Sequence, residues 1–356
     1  MFWDRLPHCR APDLTAVEEA RARTQELLMP LRAMGRCHEV VERLAAIQGT
    51  ATPHIDRPGL LLAAGDHGVV AEGVTAYPST VTRVMVEVFL RGGGTCNALV
   101  RAVGGRMAVV NAGVAEPVQS PPEAPEVVLF VDQPVRFGTR NFLHEPALTS
   151  DEADRAVELG FEVSRSFIRS YGLDVLAVGE MGIGNTTAAS VLTAWLTGAP
   201  VESVVGRGAD LPADRLERKR SVVRRALERW ADRVQTVRDA LTYWGGLEIC
   251  AMVGAFLACG TEGVAGLVDG FISTVAAACA VQLVTGLRAF LIASHESAEP
   301  GHGALLRWLG WEPLLRWDMR LGEGTGALMA VPLLRLAVGL HRDVWTFTQV
   351  GLTRGA

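Results

Sequence analysis

Short apolar runs rich in Val and Leu alternate with longer stretches of helical periodicity along most of the chain. Residues 60–64, 107–111, 174–178, 203–205, 264–268 and 289–293 read as strands, each followed by Gly, Ala, Asp or Ser. Strands that are apolar on both faces, separated by helices, predict an α/β fold with a doubly wound, mostly parallel, Rossmann-like sheet. In such folds ligands sit beyond the C-terminal strand ends. The first ~50 residues read differently, as two amphipathic helices broken at Pro30, and the part after Leu305 is again mostly helical. Residues 271–287 carry no charge, but they contain Thr and Gln and are flanked by Asp269 and Arg288, so a buried helix is expected there and not a membrane span. The Pro-rich stretch 116–125 reads as a loop between strand-like segments.

Two Gly-rich segments carry candidate chemistry. Arg320-Leu321-Gly322-Glu323-Gly324-Thr325-Gly326 sets one carboxylate among glycines ahead of an apolar helical run. Glycines let the backbone approach a ligand, and the NH groups opening the helix can hold an anion. Glu323 so framed is a candidate base, against the plainer reading of a Glu complementing a helix dipole. Gly179-Glu180-Met181-Gly182-Ile183-Gly184-Asn185-Thr186-Thr187 follows an apolar run, the layout of a phosphate-binding turn. It is neither a Walker loop nor the dinucleotide fingerprint.

Together with these two segments, Val205-Gly206-Arg207-Gly208-Ala209-Asp210, Gly245-Gly246-Leu247-Glu248, Asp269-Gly270-Phe271-Ile272-Ser273-Thr274 and Ser294-His295-Glu296-Ser297-Ala298-Glu299-Pro300-Gly301-His302 resemble the nicotinate-nucleotide:dimethylbenzimidazole phosphoribosyltransferase family of cobalamin biosynthesis. The match runs in order from about Leu44 to the C-terminus. The resemblance implies transfer of a phosphoribosyl group from nicotinate mononucleotide to an aromatic base. It further implies a homodimer, and a small helical domain built from residues 1–55 and 305–356 beside a sheet domain at 56–304. Gly/Ala-rich helical stretches such as 249–259 are candidates for the dimer interface.

By residue-by-residue match the resemblance makes Glu323 the general base. It places the 5′-phosphate and ribose at Glu180, Gly182, Gly208, Lys219, Asp269, Ser297 and Gly322, and the acceptor base at Thr75, Tyr77, Ser79 and Leu321. Taken alone, Arg218-Lys219-Arg220 reads as a solvated helix face, and Glu180 and Asp269 as helix caps. His67, His295 and His302 read as structural hydrogen-bonders. The leaving group is already a pyridinium cation, and the chain has no diacidic motif and no His/Cys/Asp set with metal-ligand spacing, so neither metal nor cofactor is expected. The chain departs from its relatives around the acceptor. Relatives usually read Ser-Ala-Tyr/Phe-Pro-Gln-Glu-Val-Thr where this sequence has Thr75-Ala76-Tyr77-Pro78-Ser79-Thr80-Val81-Thr82. A Lys-Pro-x-Gly-Ser-Leu-Gly-Arg segment appears as Met29-Pro30-Leu31-Arg32-Ala33-Met34-Gly35-Arg36.

The 356 residues allow one to three domains, and a formal charge of −5 leaves no basic footprint for nucleic acid. Six cysteines form no CxxC pair, consistent with buried thiols in a reducing cytoplasm. Met1-Phe2-Trp3-Asp4-Arg5 opens no secretory leader. A non-catalytic or partner-dependent nucleotide-binding paralogue is the alternative from a different class. A nicotinamide-dependent oxidoreductase lacks its fingerprint glycines, and a serine hydrolase its nucleophile elbow.

Overall fold

The computed structural model describes residues 1–119, 124–208 and 210–354. Residues 120–123 of the Pro-rich loop, and Ala209, lie outside the described residues. The chain opens with α1 (Leu14–Glu26) and α2 (Arg36–Gln48), then β1 (Pro58–Gly65), α3 (Thr80–Leu90), α4 (Thr95–Ala102), β2 (Arg106–Gly113), β3 (Val127–Asp132), α5 (Ser150–Tyr171) and β4 (Val175–Met181). There follow α6 (Asn185–Thr197), α7 (Val201–Val204), α8 (Leu216–Trp230), α9 (Val237–Trp244), α10 (Leu247–Glu262), β5 (Ala265–Val268), α11 (Phe271–Leu283), β6 (Leu291–Ala293), α12 (Pro300–Leu309) and α13 (Thr325–Asp343).

The strands form one sheet in the order β3-β2-β1-β4-β5-β6, and every pairing is parallel. Strand order reverses between β1 and β4, which opens a crevice at their C-terminal ends. All eight residues of β1 are buried, with alternate side chains on opposite faces. Leu61 and Ala63 join the larger core under α5, α10 and α11, whereas Leu60, Leu62 and Ala64 join the core under α2, α3, α4 and α13. The doubly wound parallel architecture expected from the apolar runs is therefore the one observed.

Local sequence explains the main helices. Thr149 and Glu152 cap α5 reciprocally, with the Thr149 hydroxyl accepting the Glu152 N–H at 3.1 Å and the Glu152 carboxylate accepting the Thr149 N–H at 2.7 Å. Gly172, in the left-handed region, ends the helix. The uncharged stretch at 271–287 contains α11, which is buried against α10, and no helix among the described residues is long and apolar enough to cross a membrane.

Three expectations are corrected. Residues 203–205 are not a strand; they straddle the end of α7, where Pro200 precedes the first turn and Glu202 complements its dipole. Val127–Asp132 is the sheet's outer strand and was not among the expected six. Residues 249–259 cannot supply a subunit interface, because that part of α10 is buried within the chain, packed on α5. A Cβ on Gly160 would lie 1.9 Å from the Ala251 carbonyl oxygen, and one on Gly254 2.0 Å from that of Val157. The small residues there serve helix packing within one molecule.

Candidate active site

A cavity of about 260 Å³ lies beyond the ends of β4, β5 and β6. Each strand end delivers functional groups to it: Glu180 and Met181 from β4, Asp269 and Gly270 after β5, His295 and Ser297 after β6. The turn before α6 adds Gly182, Ile183, Asn185 and Thr186, and the loop into α13 adds Arg320, Leu321, Gly322 and Glu323. Gly65-Asp66-His67-Gly68 at the end of β1 and Asn111-Ala112-Gly113 at the end of β2 do not line it. Asp66 Oδ2 instead accepts the Ala115 N–H at 2.8 Å, and Asn111 Oδ1 accepts that of Val114 at 2.8 Å.

Glu323 is held by an unusual backbone. It has φ +59° between Gly322 at +87° and Gly324 at +73°, a left-handed run that disfavours a side chain at its centre. Two anchors fix the loop. Asp269 accepts the Gly324 N–H at 3.1 Å through Oδ2 and the Ala327 N–H at 2.9 Å through Oδ1. From below, the loop rests on β4, where a Cβ on Gly179 would lie 2.2 Å from the Gly324 nitrogen. Asp269 thus caps α13, a helix distant in sequence. The Glu323 carboxylate faces the N-terminus of α4, where the Cys96 N–H donates to Oε2 at 3.4 Å. Burial holds its carboxyl above the usual carboxylate range.

Glu180 lies against the same loop, since a Cβ on Gly322 would meet its Oε1 at 2.4 Å. Asn185 donates to its other oxygen. Burial, reinforced by the charges of Glu248 and Asp269, pushes the Glu180 carboxyl up to about 8, so it carries a proton at neutral pH.

Gly182, Gly208 and Ser297 also line the cavity. Lys219 does not line it but sits directly behind, fully buried, with Nζ donating to Thr186 Oγ1 at 2.8 Å and to the Gly206 carbonyl at 3.1 Å. Burial lowers the ammonium to about 8, opposed by the Glu299 charge. On α8 the buried face is Lys219, Val222, Val223 and Ala226, which are three, four and seven residues apart. That helical phase distinguishes Lys219 from its exposed neighbours and was legible in the sequence.

Tyr77, Val81, Met85, Met181, Ile183 and Leu321 form an apolar wall. Thr75 faces a smaller adjoining recess, with Tyr77, Gly182 and Asn185. Ser79 is half-buried at the start of α3 and lines neither space, whereas Val81 and Met85 of that helix do face the cavity. The divergent 29–36 segment is likewise not part of the lining; Arg36 there donates to the Pro313 carbonyl at 2.8 Å. The sequence did not single out Val81, Met85, Thr186, Glu299 or Arg320 as site residues, although Thr186, Glu299 and Arg320 lie in the motif blocks and Val81 in the divergent acceptor block.

The histidines have definite partners. His67 Nε2 lies 2.7 Å from Glu248 Oε1, both side chains being fully buried. His302 Nδ1 accepts the Ser297 N–H at 2.8 Å, so its Nε2 carries the proton and donates to Thr274 Oγ1 at 2.8 Å. Burial, with the neighbouring His295, lowers His302 to about 3 and keeps it neutral. Among the described residues, His54, Asp56 and Asp174 form the one cluster with metal-ligand geometry. It lies before the N-terminal ends of β1 and β4, away from the cavity, and Arg57 already donates to Asp174 Oδ1 at 3.1 Å.

The phosphoribosyltransferase family model designated DBI_PRT matches residues 9–352. A nicotinate-nucleotide–dimethylbenzimidazole phosphoribosyltransferase of Ectopseudomonas mendocina is 42% identical over 97% of each chain. The enzyme of that name from Thermus thermophilus is 44% identical, over 95% of this chain and 98% of its own. The crystal structure of CobT from Thermus thermophilus superposes with a TM-score of 0.89 at 43% identity, covering 96% of this chain and all of that one. This chain belongs to the nicotinate-nucleotide–dimethylbenzimidazole phosphoribosyltransferase family.

Proposed function

We propose that this protein transfers the 5-phosphoribosyl group of nicotinate mononucleotide to 5,6-dimethylbenzimidazole or a related aromatic base, giving α-ribazole 5′-phosphate and nicotinate for the cobalamin nucleotide loop. The observation that carries the reading is Glu323, held on a left-handed turn in a cavity that also presents an apolar wall and the Gly208 and Ser297 lining, with the buried Lys219 bonded to Thr186 behind it. One ring nitrogen of the acceptor attacks C1′ as the C1′–N bond to the pyridinium breaks. The bonding pair returns to the pyridine nitrogen, and Glu323 takes the proton from the acceptor's other ring nitrogen. Positioned bases of this kind contribute typically ~10²–10⁴-fold.

In this reading Gly182, Gly208, Ser297, Gly322 and Lys219 bind the phosphate, and the protonated Glu180 donates to a ribose or nicotinate oxygen. Asp269 acts by holding the Glu323 loop. Tyr77 and Leu321 cover the acceptor, with Thr75 at the edge. Ser79 acts on acceptor choice only through the start of α3. We assign residues 1–55 and 305–356 to one helical unit, a division supported by Arg23 donating to the His341 carbonyl at 2.8 Å and Arg354 to that of Gln25 at 2.6 Å, although Phe2 and Trp3 donate their N–H groups to Asp154 on α5. The active form is a homodimer, for which exposed Leu28, Leu31, Met34 and Trp345 offer apolar surface.

Nicotinate release from the mononucleotide, measured with and without a benzimidazole and with a chelator in parallel, tests the proposal. Release that requires the acceptor and survives chelation is expected. Release without acceptor, or none under any condition, would reject the transferase. The charge of Lys219 makes a second prediction. Because kcat/KM reports free-enzyme ionisations, its value for the nucleotide should fall as pH rises past about 8, where Lys219 loses its proton. A profile flat through that region would remove the lysine cation from phosphate binding.

A further inference from the structure

The N-cap of α4 is Gly94, which has no side chain to offer, so the N–H groups of the first turn need partners from elsewhere. Glu323 reaches one of them, the Cys96 N–H, from 227 residues away. The candidate base is thus also a long-range cap of α4, and the positive end of that helix faces its carboxylate. Position 94 cannot carry a cap of its own without displacing Phe89, since a Cβ there would lie 2.4 Å from Phe89 Cδ1.

Asn97, fully buried in the first turn of α4, sets where that helix end lies. Its Oδ1 accepts the Gly94 N–H at 3.0 Å, and its Nδ2 donates to the Phe89 carbonyl at 2.9 Å and to Glu126 Oε1 at 3.2 Å. One partner is a donor and the other two are acceptors, which fixes the orientation of the amide. Asn97 therefore ties the start of α4 to the end of α3 and to Glu126, just ahead of β3. Glu126 is paired in turn with Arg101 of α4.

The groups around Glu323 make this clamp matter. Burial opposes its ionisation most, and Asp269 after β5 adds to that, whereas the Cys96 N–H and thiol on α4 favour the charged form. Glu180 on β4 is another acid of the same cavity. Arg320, earlier in the Glu323 loop, is engaged by Asp210, and His295, after β6, faces Asp269 at 3.6 Å. Burial, and then the Glu323 charge, pushes the Cys96 thiol up, so it stays neutral.

We propose that Asn97 is a positioning residue for the transfer reaction: by fixing the N-terminus of α4 against Glu323, it keeps that carboxylate ionised and available as a base. The inference rests on the reading of Glu323 as the general base.

The pH dependence of kcat in Asn97→Ala, with nicotinate mononucleotide and dimethylbenzimidazole both saturating, tests it. Losing a hydrogen bond to the charged form raises a carboxyl, so the acidic limb should move up by about one pH unit. Below the limb kcat should fall about tenfold, and on the plateau it should return to within about twofold of the unaltered enzyme. Loss by one factor at every pH would make Asn97 merely structural, and an unmoved limb would mean that Glu323 does not depend on α4; either overturns the proposal.

Asn97→Ala leaves the Gly94 N–H and the Phe89 carbonyl unpaired in the interior, so a second variant decides the matter if that protein does not fold. Glu126→Ala removes only the third bond of Asn97. Deleting a negative charge by itself would lower the Glu323 carboxyl and move the limb down, whereas a loosened α4 moves it up. A Glu126→Ala enzyme without an upward shift would overturn the proposal. An acidic limb that persists in Glu323→Gln would instead reject the base, and the clamp with it.

Discussion

Glu323→Gln should lower kcat for phosphoribosyl transfer by about 10²–10⁴-fold while changing nucleotide affinity by less than about threefold. The amide keeps the size and shape of the side chain, so the left-handed turn and its two contacts with Asp269 persist. What is lost is the lone pair that accepts the acceptor's proton. Glu180 cannot substitute, because its carboxyl already holds a proton at neutral pH. If Glu323 is the base, its raised carboxyl should set the acidic limb of kcat in the native protein, with activity appearing as pH rises above the usual carboxylate range. That limb should vanish from the residual activity of the variant. Steady-state kinetics with saturating benzimidazole, together with calorimetric titration of the nucleotide, separate the two effects. Near-normal kcat in Glu323→Gln would take this carboxylate out of the mechanism.

The second large effect is expected from a residue outside the cavity lining. Gly179→Ala adds one methyl to β4, at 2.2 Å from the Gly324 nitrogen and 2.6 Å from the Glu323 carbonyl carbon. Both neighbours are backbone, so no side-chain rotation relieves the overlap. The loop must lift on the order of 1 Å, a misplacement that can cost about 10²-fold in rate. Asp269 resists from the other side by holding two N–H groups, so the strain also appears as about 1–3 kcal/mol of lost stability. Thermal unfolding should show a folded but weakened protein, with kcat reduced far more than nucleotide binding. A folded Gly179→Ala enzyme of unaltered kcat would show that the position of the Glu323 loop does not govern the chemistry.

The class of fold, five of the six strands and the long helices were legible because they depend on local periodicity and on apolar runs that must be buried on both faces. The errors have the same origin. Residues 203–205 and 127–132 are both short apolar runs, and a run of that length carries no period that separates strand from helix turn. The Gly-rich motifs around Glu180 and Glu323 likewise announced themselves in the sequence, whereas Arg218-Lys219-Arg220 read as a solvated face and the burial of Lys219 was missed, although its phase with Val222, Val223 and Ala226 carried the signal.

Tertiary structure alone decided what those residues do to one another. Asp269 follows β5 but caps α13, fifty-eight residues on from it at Ala327, and so fixes the candidate base. The His67–Glu248 pair joins residues 181 positions apart. Ser79, marked by its departure from related sequences, lies off the cavity, while Val81 and Met85 on the same helix reach it, because helix rotation and not motif membership chooses the inward face. Protonation of Glu180 and the orphaned oxygen of Glu299 arise from burial and from charges brought together by sheet order. Sequence determines which groups are available and where the chain must turn; low dielectric and proximity at the ends of β4, β5 and β6, which exist only once the sheet is assembled, determine which of them become acid, base or anchor.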